Sequence, residues 1–216
     1  CSQSEAIPPP ASSKKSPVDR FELSKCDAHK TAAKVHKKDT RIRGAAQKGL
    51  DFLTDSTLAW QESNNCMGCH VQGVTGEALS VGIHHQYDVK PAAVKGVFKG
   101  LLDLSGGIRT EDGHATLGSG LRSSARAYSG AAVARYDAWV KNDLSDDLLK
   151  AAHDLLPQQG PEGSIHAAHV NQPISYGPLQ GTYQAIQTWQ QAYARSADDR
   201  WLTAIASGER YIQNVV

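Results

Sequence analysis

The sequence predicts an all-α fold. From residue 41 onward Ala, Leu, Lys, Gln and Asp recur at helical spacing, while few β-branched runs alternate at period two. Glycine- and proline-bearing breaks punctuate these stretches. The periodic segments are short to medium, so the expectation is helix pairs joined by turns, not a bundle of long rods.

Each element has its own signal. A first helix is expected over about 41–56, with Ala45, Ala46, Leu50 and Leu53 on one stripe. A second, around 75–86, carries Ala78, Leu79 and Ile83. A third starts at Pro91, a residue suited to a first turn, and runs "PAAVKGVFKGLLDL". The stretch "SGGIRTEDGHATLGSG" reads as a glycine-rich loop. Helices follow at about 119–141, 145–156, 177–195 and 197–214. Ser196 is the expected cap of the last, with Asp199 three residues on in the manner of a capping box.

The 216 residues suffice for one large or two small domains and a substantial core. Residues 1–20 read as a tether, 21–40 are charged and unassigned, and 41–216 form the helical domain. Lys and Arg number 23 against 22 Asp and Glu, a net charge of +1 that gives no reason to expect nucleic acid. The lysines at 14, 15, 25, 30, 34, 37 and 38 read as a solvated face. No apolar run approaches the roughly 20 residues that span a bilayer.

The chain opens "CSQSEAIPPPASSKKSP". A leading Cys1 followed by an extended Pro/Ser-rich tether resembles a processed bacterial lipoprotein, in which the cysteine thiol is acylated. The expectation is an exported protein, lipid-anchored at Cys1 to a bacterial membrane on its periplasmic or outer-surface face. Ser2 suits outer-membrane sorting. A clipped terminus, with Cys1 disulfide-bonded to Cys26, is the competing reading.

The chemistry-bearing motif is "CMGCH", a C-x-x-C-H at Cys66, Cys69 and His70. Two thiols at this spacing add across the vinyl groups of one haem, and the adjacent histidine becomes an axial iron ligand. One covalent haem c is therefore expected, with His70 proximal. A rival is a zinc site in which Cys26 and His29 of "CDAH" join Cys66 and Cys69, but it leaves His70 unexplained. A redox dithiol does not match an exported helical chain.

The other side of the iron is narrowed by elimination. The only methionine, Met67, lies inside the attachment loop and cannot wrap to the opposite face. The order of distal candidates is His114 in the glycine-rich loop, then His169 and His166 in "GSIHAAHV", then His84. An open sixth position carries similar weight. Bis-histidine ligation implies a lower potential than His/Met, whereas an open position permits gas or peroxide chemistry. Trp60 is the expected haem neighbour by sequence proximity, and Arg109 and Arg122 are candidate partners for the propionates, with an ordinary solvated charge the favoured reading of each. Trp189 and Tyr193 read as inter-helix packing.

From the motif onward, over about 41–216, the chain resembles bacterial cytochrome c proteins with squalene-cyclase/prenyltransferase-like helical repeats. The resemblance rests on "CMGCHVQGVTGEALSVGIHH", on "QGPEGSI" for a Q-x-x-D-G-S-W turn, and on "QPISYGPLQGTYQAIQTWQQAYARS" followed by "DRWLTAIASGERYI". Glu162 replaces the Asp of that turn and Ile165 the Trp. The resemblance implies a partial α/α-toroid-like arrangement around one covalent haem. It does not imply terpene cyclisation, since the D-x-D-D acid motif is absent and the acids of "SDDLL" and "SADDR" fall at helix starts, where they complement the dipole. The final "RWLTAIASGERYIQNVV" ends in mid-pattern, the expected mark of a ring completed by a partner or by further chain.

The functional expectation is an electron-transfer cytochrome in preference to a catalyst, acting with a redox protein partner or as a subunit of a larger redox complex. A haem enzyme or gas sensor with an open distal side is the alternative, and a structural module stapled by haem is the third.

Overall fold

The computed structural model describes residues 40–64, 69–104, 119–166 and 177–215. Among them the chain is all-helical. The order is α1 (Thr40–Asn64), α2 (Cys69–His84), α3 (Pro91–Leu104), α4 (Ser119–Tyr136) with a π-helical turn (Asp137–Lys141), α5 (Asp146–Leu155) with a 3-10 turn (Leu156–Gln158), α6 (Pro178–Ser196) and α7 (Asp199–Val215). The tether and the 21–39 segment lie outside the described residues.

Side-chain pairing fixes the direction of each helix. The start of α1 meets the end of α2, where the Arg43 guanidinium donates to the carbonyls of His85 (3.2 Å) and Gln86. Farther along, the hydroxyls of Thr57 and Thr75 form a buried 2.7 Å hydrogen bond. These helices are therefore antiparallel. Leu58 packs beside Gly96, and the Gln61 carboxamide fills the space beside Gly100, so α3 runs with α1.

Helices α2 and α4 run in the same direction. Gly73 lies against the Tyr128 ring, Glu77 approaches Arg135 at 3.7 Å, and the His84 ring meets Trp139 at 4.9 Å between centroids. A Cβ at Gly73 would sit 3.0 Å from that of Tyr128, so a bare glycine permits the close approach. Helix α6 continues the same direction. Gln180 donates to Tyr128 Oη at 2.5 Å, and Thr188 packs on Gly130. Helices α5 and α7 run the other way: Asp137 pairs with Ser145 and Ser123 with Gln158, while Gly208 meets Thr182 and Ile186. The result is a parallel row, α2–α4–α6, with antiparallel helices interposed in sequence.

Apolar clusters hold this row among the described residues, one of them around Val133, Ala134 and Leu148 of α4 and α5. A second joins α4 to α7 through Ala127, Ala152, Leu155, Ile165, Ile186, Trp189, Trp201 and Ile205. Trp189 and Trp201 are fully buried, and each indole N–H is satisfied, by Ala152 O at 3.0 Å and Ser196 Oγ at 3.1 Å. Trp189 and the half-buried Tyr193 are thus packing residues, as expected. A third ties α1 to α3 around Leu79, Val94 and Val97.

The "QGPEGSI" segment forms a tight turn between α5 and α6. Gln159 Nε2 donates to Gly163 O (3.0 Å) and to Ala204 O on α7 (2.9 Å). Ile165 N donates to Thr182 Oγ1 on α6 at 2.8 Å. Gly163 sits at φ +98, a conformation costly for residues with a Cβ, and a Cβ would collide with the Ser207 carbonyl. One turn therefore locks α5 to both α6 and α7.

Two boundaries differ from the sequence reading. Helix α1 runs to Asn64 and α2 begins at Cys69. The polar end of α1 stays helical because Thr57, Leu58 and Gln61 all pack on neighbouring helices. Ser196 is not the cap of α7. It ends α6, while the Asp198 carboxylate accepts the N–H of Arg200 at 3.0 Å at the start of α7. A left-handed Ala197 (φ 53) turns the chain between them.

Candidate functional site

The N-termini of α2, α4 and α6 share one end of the molecule, because the three helices are parallel. The C-termini of the antiparallel α1 and α3 reach the same end. So does the 3-10 turn after α5, where Ser123 Oγ donates to Gln158 Oε1 at 2.8 Å. The second half of the C-x-x-C-H motif lies here, with Cys69 and His70 as the first two residues of α2.

His70 is half-buried, and its Nδ1 is sequestered from water without a hydrogen-bond partner. A buried ring nitrogen without a partner among the described residues is costly. Trp60 is half-buried in the last turns of α1 at the same end. Its neighbour Gln61 has a buried, unpartnered Oε1. Tyr128, wedged over Gly73 one turn along α2 from His70, directs its hydroxyl to Gln180 near the start of α6.

His166, the third distal candidate, is exposed at the close of the Gln159–Ile165 turn, where its N–H donates to Gln158 O at 3.4 Å. That turn is anchored at the same end through Gln158 and Ser123. His84 belongs to the opposite end. It lies fourteen residues along α2 from His70, about 21 Å at helical rise, and it packs on Trp139. It cannot ligate an iron held by His70, which corrects the sequence ranking. Cys1, Cys66, Arg109, His114 and His169 lie outside the described residues, as do Cys26 and His29 of the zinc alternative. Among the described residues no group of three or more His, Cys, Asp and Glu could hold a metal ion. Nor is any described helix long and apolar enough to cross a membrane.

The acidic pairs have the helix-start positions expected of them. Asp146 and Asp147 occupy the first turn of α5, whose cap Ser145 accepts the N–H of Leu148 at 3.2 Å. Asp198 is held down to about 2 by hydrogen bonds from Arg200. Glu77, beside the His70 face of α2, is raised by burial, with Arg135 opposing the shift.

Sequence reasoning missed Asp137. It is fully buried in the π-helical turn, and Oδ2 accepts from Ser145 N (2.8 Å) and Ser145 Oγ (2.5 Å). Its only sequence signal was an acid inside an apolar helical pattern.

No family model, curated protein or solved structure matches the chain.

Proposed function

We propose that the chain is a monohaem c-type cytochrome that transfers electrons, held near a bacterial membrane by lipid at Cys1 and acting with a redox protein partner as part of a larger complex. The observation that carries this reading is the C-x-x-C-H motif, whose His70 enters the first turn of α2 with a buried Nδ1 uncommitted to the protein. These residues fit a covalent haem. Cys66 and Cys69 would hold it and His70 would ligate the iron; such a group supplies a reversible one-electron change at iron.

The chain's own residues do the positioning. Helix α2 fixes the His70 backbone, and the Gly73–Tyr128 contact and Thr57–Thr75 hydrogen bond clamp α2 against α4 and α1. Trp60 contributes apolar surface at this end. The shared N-termini of α2, α4 and α6 present partial positive charge there, which favours anionic propionates. A partial α/α toroid requires a parallel row of helices alternating in sequence with antiparallel ones, and the helix directions described above support that reading. A tether at the N-terminus raises the encounter rate with partners on the same membrane.

The test is an optical difference spectrum of the reduced full chain with and without CO. A low-spin spectrum that ignores CO is the expected result. Rapid CO binding would move the assignment to a gas-binding or catalytic haem.

A further inference from the structure

A groove of about 730 Å³ runs between α1 and α2. Its walls are apolar, formed by Ala46, Leu50, Leu53, Ala78 and Val81. Ala46 is exposed, and Leu50, Leu53, Ala78 and Val81 are only half-buried, so a ligand reaches these walls directly from solvent. The sequence puts Ala46, Leu50 and Leu53 on one apolar stripe of α1, yet the one fully buried residue of that helix is Thr57. The described residues therefore leave the stripe open. From Arg43 to Leu53 the lining follows α1 for ten positions, about 15 Å at helical rise. A cavity of this size holds a small organic molecule, and its length suits an extended chain.

The charge at one end narrows the ligand. Among the described residues Arg43 is the one permanently charged side chain of the lining, beside His85 and Tyr87, and no carboxylate lines the groove. The acid nearest in sequence on α1, Asp51, instead accepts from Gln47 Nε2 at 2.9 Å. The Arg43 guanidinium is fixed in place. It donates to the carbonyls of His85 and Gln86, and its central carbon stands 4.2 Å from the centre of the Tyr87 ring. Those hydrogen bonds use two of its five N–H donors, and the three left, Nε–H among them, suit the two oxygens of a carboxylate. We propose that this groove is a binding site for a single medium-chain alkyl carboxylate, whose head accepts from Arg43 while its chain lies along Leu50, Leu53, Ala78 and Val81. The site is independent of the haem assignment.

The experiment is calorimetric titration of the full chain with dodecanoate and with dodecyltrimethylammonium, which keeps the chain length and reverses the head charge, each below its micelle-forming concentration. Dodecanoate binds at one site and the ammonium at least about tenfold more weakly, the factor expected for losing a hydrogen bond between charged groups. Arg43→Gln abolishes that discrimination. Ala46→Phe, a change at an exposed position that fills the groove and leaves Arg43 in place, weakens dodecanoate at least about tenfold by occupying the space of its chain. It keeps the measurement decisive if the Gln variant does not fold. Equal affinity for the two heads in the parent chain, discrimination retained in a folded Arg43→Gln, dodecanoate binding unchanged by Ala46→Phe, or no binding below the micelle-forming concentration each overturns the proposal. In that last case, co-sedimentation with phosphatidylglycerol vesicles that Ala46→Phe abolishes, or a dimer that it dissociates, would assign the groove to a bilayer or to a second copy of the chain.

Discussion

At the scale of single residues, the buried polar pairs carry the sharpest consequences. Thr57 and Thr75 satisfy only each other across α1 and α2, so removing one hydroxyl strands the other in an apolar interface. Thr57→Val alone is expected to cost about 1–3 kcal/mol, and Thr57→Val with Thr75→Val less than the sum of the single changes. Urea unfolding of the three variants measures this; additive losses would contradict the pairing. Glu77 gives a pH signature. Burial raises its pKa, so the folded state takes up a proton that the unfolded state binds more weakly. Its contribution is therefore most favourable at low pH and is lost as pH rises from about 4.5, the model-peptide range for Glu, through the raised folded value. Relative to the parent, Glu77→Gln should gain stability as pH climbs through that window, and a constant difference between the two chains would refute the assignment. At this scale the legible residues were those whose covalent chemistry dictates spacing. Cys66, Cys69 and His70 stand out in the sequence because the proposed haem needs them at fixed intervals. Asp137 and the Thr57–Thr75 pair do not, because their partners lie 8 and 18 residues away and only folding brings them together.

At the scale of elements, α3 and the helices after it were legible and the start of α2 was not. Pro91 announces α3 at its observed first residue. Gly73 and Gly76 hide the beginning of α2, since glycine weakens the helical signal while tertiary packing on Tyr128 and Ala132 supplies what propensity lacks. The α6–α7 junction shows the same limit. The sequence places the cap at Ser196, but the left-handed Ala197 ends α6 there and the carboxylate of Asp198 meets the start of α7 instead. Arg200 depresses the Asp198 pKa to about 2, so this contact is present above the ordinary aspartate range near 3.8 and is lost as pH falls towards 2. In Asp198→Asn the start of α7 should show faster amide exchange at Arg200 and Trp201 at neutral pH, and the difference from the parent should shrink on acidification. A difference that persists unchanged at pH 2 would assign the cap elsewhere.

At the scale of the whole molecule, the parallel row gathers His70, Trp60 and the anchored Gln159–Ile165 turn at one end and leaves the Arg43 end of the groove between α1 and α2 at the other. The all-helical class was legible from periodicity alone. The common direction of α2, α4 and α6 was not, because it depends on contacts such as Gly73–Tyr128 and Gly130–Thr188 between residues more than fifty positions apart. The proposed tethered electron carrier, with one redox end, rests on this arrangement together with the motif. The most direct test is the intact mass and visible spectrum of the full chain after denaturation, beside a Cys66→Ala/Cys69→Ala variant. The account predicts a denatured parent that stays red and heavier than its bare chain by one haem, and a variant that carries none. A colourless parent at the mass of the bare chain would contradict it.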